Sequence, residues 1–176
     1  PNIEIRVDVV GSNNVVRSII EHEAHIGIAF NPELDPNIRT HLEVNHPLMM
    51  FIHPNHALNN AQHPIKLSEL KQHRLALSHI SHGVQQIIHK AANDDNIRLK
   101  PSLVCNHLHL LKSYASDGGI ALLPNFMLYE EDQNLILKKL EHQYFNQTQT
   151  KIMSRLGRQL PPAANKFLQE AMKMFS

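Results

Sequence analysis

The sequence predicts an α/β protein in which strands alternate with helices and pair mainly in parallel. Three observations predict it. Residues 3–30 run strand, helix, strand. The middle of the chain repeats that alternation, with a helical stripe at Val84, Ile87, Ile88 and Ala91 before an apolar strand. The chain has 176 residues, 42% of them apolar, enough to bury a sizeable core.

The elements follow in order. Ile3, Ile5, Val7 and Val9 alternate with Glu4, Arg6 and Asp8, the period of a strand with one wet face. Such a strict alternation suits an exposed edge or a subunit interface, because a central parallel strand is apolar on both faces. Gly11-Ser12-Asn13 follows, with Ser12 or Asn13 as the cap of a helix carrying Val15, Val16, Ile19 and Ile20. Ile26 to Phe30 is a short apolar strand, which makes residues 3–30 a βαβ unit. After a turn with two prolines, Ile38 to Val44 and Leu48 to His53 are strands, and Pro54 to Pro64 is a polar loop. Residues 67–70 form a short helix and Arg74 to Leu77 a strand. Ser78 to His82 is a polar junction ahead of the stripe at 84–91, whose spacing is that of an amphipathic helix.

Leu99 to Cys105 is a strand that Pro101 keeps near an edge or a start. Asn106 caps a helix bearing Leu108, Leu111 and Ala115. Gly119 to Leu123 is a strand ended by Pro124, and 125–131 is a short helix. Leu135 to Leu140 and Thr148 to Arg155 are strands. Pro161-Pro162 opens the last helix, with Ala164, Phe167, Leu168, Ala171, Met172 and Phe175 on one stripe.

Charge and cysteine content narrow the function classes. Lys and Arg number 17 against 16 Asp and Glu, a formal charge of +1 that leaves no electrostatic footprint for nucleic acid or an anionic membrane. The single Cys105 allows no internal disulfide and fits a reducing compartment. At the end of an apolar strand it reads as a buried, inert thiol. Leu48 to Ile52, the longest apolar run, is too short to span a bilayer. No signal peptide precedes the first strand, and the abrupt opening at Pro1 suggests that upstream residues are missing.

Three junctions could hold a ligand: Gly11-Ser12-Asn13, Ser78-His79-Ile80-Ser81, and Asn106-His107. Each places a polar residue and helix N–H groups beyond the end of a strand, where open α/β sheets bind ligands. Together they suit a small anionic or polar molecule. Capping alone explains each of them as well. No Gly-rich phosphate loop, nucleophile elbow, HExxH or CxxC is present, and no carboxylate pair stands out, so the sequence does not read as an enzyme. The 14 histidines include close pairs such as His53 with His56 and His107 with His109, but no set of four ligands emerges. They read as surface drift, without a metal or cofactor.

These residues resemble the effector-binding domain of LysR-type bacterial transcription regulators over essentially the whole chain. The strongest likeness is Asn106 to Pro124, where the family has a capped helix followed by Gly-x-Gly-Ile-x-x-x-Pro. His56-Ala57-Leu58 stands for the family's His-Pro-Leu after an apolar strand, and Ser18 to Phe30 for its Leu-x-x-Gly-x-Leu-Asp-x-x-Ile. Pro1-Asn2-Ile3 resembles the family's Tyr-Pro-x-Val. Two positions depart. Asp117 replaces the first glycine of Gly-x-Gly, a place expected to need φ > 0, and His25 replaces an aspartate.

The resemblance implies two Rossmann-like lobes joined by crossing strands, the type 2 periplasmic-binding-protein architecture. Lobe I would be residues 1–76 plus 152–176, and lobe II residues 77–151. It implies an effector in the cleft between lobes, touching Ser12, Asn13, Phe30, Ser78, His79, Ile80, Ser81, Asn106 and His107. It implies a cytoplasmic homodimer, possibly a tetramer, that reaches DNA only through an N-terminal helix-turn-helix domain. That domain, and the family's first strand and helix, are not in this sequence. The alternatives are a free-standing periplasmic solute-binding protein of the same fold and an enzyme built on it.

Overall fold

The computed structural model describes residues 3–79 and 83–175. The chain divides into two compact units, Pro1–Val44 with Gln149–Ser176, and Asn45–Thr148.

The first unit holds α1 (Ser12–Ile20), β1 (Gly27–Phe30), β2 (Ile38–Asn45), β8 (Gln149–Arg155) and α5 (Pro162–Phe175), with β8 in the middle of the sheet β1-β8-β2. β8 runs antiparallel to β1, with Ile28 opposite Ile152 and Phe30 opposite Thr150. The apolar stripe of α1 works as its spacing requires: Val16 and Ile19 are buried against Ala29 and Met153. Gly27 permits that approach, since a Cβ there would lie 2.5 Å from Val15 Cγ1 and 2.7 Å from Ile19 Cδ1. Leu168 and Ala171 of α5 pack with Ile152.

The second unit holds β3 (Leu48–Ile52), β4 (Leu75–Leu77), α2 (Gly83–Asp94), β5 (Leu103–Val104), α3 (Leu108–Ser116), β6 (Ile120–Pro124), β7 (Ile136–Lys139) and α4 (Gln143–Asn146). Its five-stranded sheet has the order β5-β4-β6-β3-β7. Its three inner strands are the most apolar: β4 and β6 are buried at every residue, and β3 at all but Met49. Phe51, Ala76, Ala121 and Leu123 meet Leu111 and Ala115 of α3 in one core, so the helical spacing of 108, 111 and 115 finds its sheet.

Several expectations are corrected. Ile3 to Val9 form no strand: the segment pairs with nothing among the described residues that would make it one, and its apolar side chains are exposed, Ile3 by 62% and Val9 by 93%. Alternation specifies two faces; it supplies no neighbour, and a strand without one is not held. The βαβ unit over 3–30 is therefore absent. Among the described residues β4 runs parallel to β5 and to β6, and Ile65 bridges Leu140 in parallel, while β3 runs antiparallel to both β6 and β7. An apolar run marks a central strand without fixing its direction. Of the strand expected over 99–105, only Leu103–Val104 forms. The lobe boundary expected at residue 76 also moves, because β3 lies between β6 and β7 and so draws residues 45–76 into the second unit. Residues 149–151 join the first unit through the pairing of Thr150 and Lys151 with β1.

No helix among the described residues is long and apolar enough to cross a membrane.

Candidate functional site

In the first unit, α1 begins without a side-chain cap. Gly11 is the N-cap residue, and its carbonyl accepts from the N–H groups of Asn14 and Val15. Ser12 and Asn13, expected to cap, do something else. The Ser12 hydroxyl donates to the Phe30 carbonyl at 2.8 Å, and Asn13 Oδ1 accepts from the Glu33 N–H at 3.4 Å. Both side chains tie the helix start to the end of β1 and the turn beyond it. Asn31 makes that turn at φ +46°. Phe30 is half-buried at the strand end. The structure thus brings Ser12, Asn13 and Phe30 together, with Ser12 and Asn13 bonded to the protein's own backbone.

In the second unit, β4 ends at Leu77 and delivers Ser78, which is only 3% exposed. Its Oγ has no hydrogen-bond partner among the described residues. The same is true of Gln85 Oε1, in the first turn of α2, and of Asn125 Oδ1 beyond β6. Ser78, His79 and Gln85 line a cavity of about 680 Å³. Its remaining wall comes from the face of α2 that carries Ile88 and from the segment through Arg98 to Val104. Ile80 and Ser81 lie outside the described residues.

Asn106 and His107 do not line this cavity. The expected Asn106 cap is a His107 cap: the His107 ring accepts from the Leu110 N–H at 3.4 Å, and α3 starts at Leu108. Imidazole Nδ1 reaches the first-turn N–H much as an asparagine oxygen does, provided that nitrogen carries no proton. His56 and His142 cap in the same way, from Leu58 and Tyr144. Part of the histidine excess thus has a structural role that its scatter along the sequence concealed. Burial, with the nearby His73, lowers the His56 pKa, and burial alone lowers that of His46.

Cys105 is half-buried rather than buried, its Sγ directed at the His107 carbonyl 3.6 Å away. The left-handed position after α3 is Gly118, at φ +82°, while Asp117 is at φ −88°. Gly118 and Gly119 donate back to Ala115 and Tyr114, closing the helix as a Schellman motif. The departure from the family pattern at Asp117 therefore carries no backbone strain. Among the described residues, no group of three His, Cys, Asp or Glu side chains could hold a metal ion.

Gln85 was not among the residues singled out from the sequence. Its signal was available, because residues 85, 88 and 92 fall on one side of a 3.6-residue helix.

A model of the LysR substrate binding domain matches residues 1–176. The chain belongs to this family. No curated protein matches it. Solved structures give the LysR fold independently. The regulatory domain of CcmR from Synechocystis PCC6803, in complex with 2-PG, is 16% identical with a TM-score of 0.84, over 100% of this chain and 85% of that one. The effector-binding domain of QuiR in complex with shikimate is 15% identical with a TM-score of 0.73, over 94% and 78%. A reduced form of OxyR from N. meningitidis is 14% identical with a TM-score of 0.70, over 94% and 78%. The expected type 2 periplasmic-binding-protein-like architecture is thus found.

Proposed function

We propose that this LysR-family chain is the effector-sensing part of a bacterial transcription regulator, binding a small anionic or polar molecule and acting on DNA through a separate domain. The family model over the whole chain carries this reading. The ligands named with the CcmR and QuiR domains, 2-PG and shikimate, are small and anionic and point the same way. The proposed contacts are Ser12, Asn13, Phe30, Ser78, His79, Ile80, Ser81, Asn106 and His107. Ser78 and His79 have the best support, since they line a cavity with an unpartnered hydroxyl. The chain is proposed to be a cytoplasmic homodimer without catalytic activity. The row Ile3, Ile5, Val7 and Val9, exposed in the isolated chain, supports a dimer. Nothing observed favours a free-standing solute-binding protein.

Thermal unfolding of the chain against a panel of small carboxylates, phosphates and sugars tests the reading. A true effector at a hundredfold excess over its Kd should stabilise by about 2.7 kcal/mol. No stabilisation across the panel, or a strict monomer by sedimentation at high concentration, would count against sensing and against the dimer respectively.

A further inference from the structure

Glu4, Arg6 and Asp8 alternate with Ile3, Ile5, Val7 and Val9 in the stretch before α1. Among the described residues this stretch pairs with no strand, and all four apolar side chains stand in solvent, Val7 by 76%. It is nevertheless extended locally. Arg6 Nε lies 3.1 Å from Asp8 Oδ2, a contact between two side chains on the same side of a strand. An apolar row on an unpaired extended backbone is a template for another strand.

The charges decide which strand fits when the row meets a second copy of itself. Residues directly opposite in an antiparallel pair share a face, so apolar must meet apolar and charge must meet charge. Parallel pairing in register sets Glu4, Arg6 and Asp8 each against its own kind. Antiparallel pairing centred on Arg6 sets Arg6 against Arg6 and Glu4 against Asp8. Both arrangements oppose like charges, which destabilises a sheet. Antiparallel pairing centred on Val7 does the reverse: Arg6 faces the partner's Asp8, and Asp8 faces the partner's Arg6. The Arg6–Asp8 contact within each copy completes a square of four charges whose signs alternate. On the other face Val7 meets the partner's Val7, and Ile5 meets the partner's Val9. Centring on Ile5 also joins opposite charges, but it leaves Val9, the most exposed of the row, against Pro1, whereas centring on Val7 leaves only Ile3, the least exposed.

We propose that residues 4–10 of two copies pair as an antiparallel ribbon about a two-fold axis at Val7, so that the partner of the exposed row is a second copy of this chain. One patch then serves both copies, as a closed two-fold dimer requires. A two-stranded ribbon is marginal in water, so the association should be weak and should grow with protein concentration. The inference rests on the homodimer reading and gives that dimer a surface and a register.

Crosslinking of the 176-residue chain in a Cys105→Ser background, with diamide as oxidant, tests the register. Val7→Cys should give a disulfide-linked dimer, since opposite Cβ atoms in an antiparallel pair lie about 4.5–5.5 Å apart. Ile3→Cys and Ile5→Cys should link at least about tenfold more slowly, because at roughly 3.3 Å per residue the same register keeps each about 13 Å or more from its counterpart. Sedimentation over a concentration series tests the charges. Arg6→Asp or Asp8→Arg alone should weaken dimerisation about tenfold, since symmetry doubles each change, and the two together should restore it. Val7→Lys sets two ammonium groups opposite each other and should abolish the dimer. None of these side chains belongs to the cores of either unit, so the denaturation midpoint at low concentration should stay that of the parent. If the double swap stays weak, if the dimer survives Val7→Lys, or if Ile5→Cys links as fast as Val7→Cys, this inference falls and the homodimer reading stands on another face. A strict monomer at millimolar concentration removes both, and leaves the row to a partner of another chemistry.

Discussion

The two units treat the polar side chains beside their strand ends in opposite ways. In the first, Ser12 and Asn13 are bonded to the backbone at Phe30 and Glu33, and the junction is closed by the protein itself. In the second, Ser78 and Gln85 are as deeply placed but leave a hydroxyl and a carbonyl unanswered among the described residues. Sequence made the two junctions look alike, since each offers serine beside a helix start. The difference lies in what arrives opposite. β1 ends in a turn that folds back over α1, whereas β4 ends at a cavity. A saturated junction contributes stability, and an unsaturated one gives some of it up.

The largest expected effect tests whether the second unit is otherwise tightly built, so that its unpaired atoms are not mere looseness. A Cβ at Gly119 would lie 2.4 and 2.5 Å from the Tyr114 ring and 2.9 Å from the Tyr114 carbonyl oxygen. The backbone cannot easily retreat, because the Gly119 N–H bonds that same carbonyl at 3.1 Å. Gly119→Ala should therefore cost about 3 kcal/mol, the upper end for overpacking. Gly27→Ala in the first unit meets side-chain atoms of Val15 and the buried Ile19 rather than backbone, and should cost less, about 2 kcal/mol. Denaturant midpoints at constant m-value measure both. Equal costs would mean that the turn after α3 is no tighter than the α1–β1 contact.

The next effect addresses the contrast directly. Ser12→Ala removes a bond and leaves the Phe30 carbonyl without that donor, so it should destabilise by about 1 kcal/mol. Ser78→Ala removes no bond and should not destabilise at all. A loss at Ser78 equal to that at Ser12 would show that its hydroxyl is partnered in solution, and the contrast between the units would collapse.

Much of this was legible in the sequence, and the limits have physical causes. The stripes of α2 and α5 and the apolar runs of β3 and β6 identify themselves, because burial on one face or both leaves a periodicity. Ile3 to Val9 has the right periodicity and no strand, because pairing depends on a neighbour that alternation cannot name. Asn106 was the expected cap from its residue type, yet His107 caps, since backbone direction decides which of two adjacent acceptors meets the Leu110 N–H. The same holds for φ: Asp117 and Gly118 are adjacent, and only the structure tells which is left-handed. That Ser78 and His79 border a cavity was legible because they follow a strand end. Gln85 was passed over because glutamine on a helix is usually solvated; that it borders the same cavity as Arg98 and Val104 depends on how the chain returns after α2.

The smallest effect is the pH dependence, and it too should fall unequally on the units. His46 and His56 lie in the second unit and His41 in the first, all with pKa values below the ordinary 6.5. Burial is the main cause in each case, assisted by the charge of Arg39 at His41 and of His73 at His56. A lowered folded pKa means that the unfolded chain binds more protons, so stability is complete above about pH 6.5 and falls as pH drops from there through the folded values. His56 adds a structural consequence. Protonation at Nδ1 removes the acceptor that caps the turn at Ala57–Asn60, so the Leu58 amide should lose protection first. Hydrogen exchange between pH 7.5 and 5 would follow it. His56→Asn keeps an acceptor that does not titrate, and should flatten the acid loss at Leu58 while leaving the His41 region unchanged. If the Leu58 amide opens with the same pH profile in that variant, the cap is not what acid breaks, and the greater acid sensitivity assigned to the second unit loses its cause.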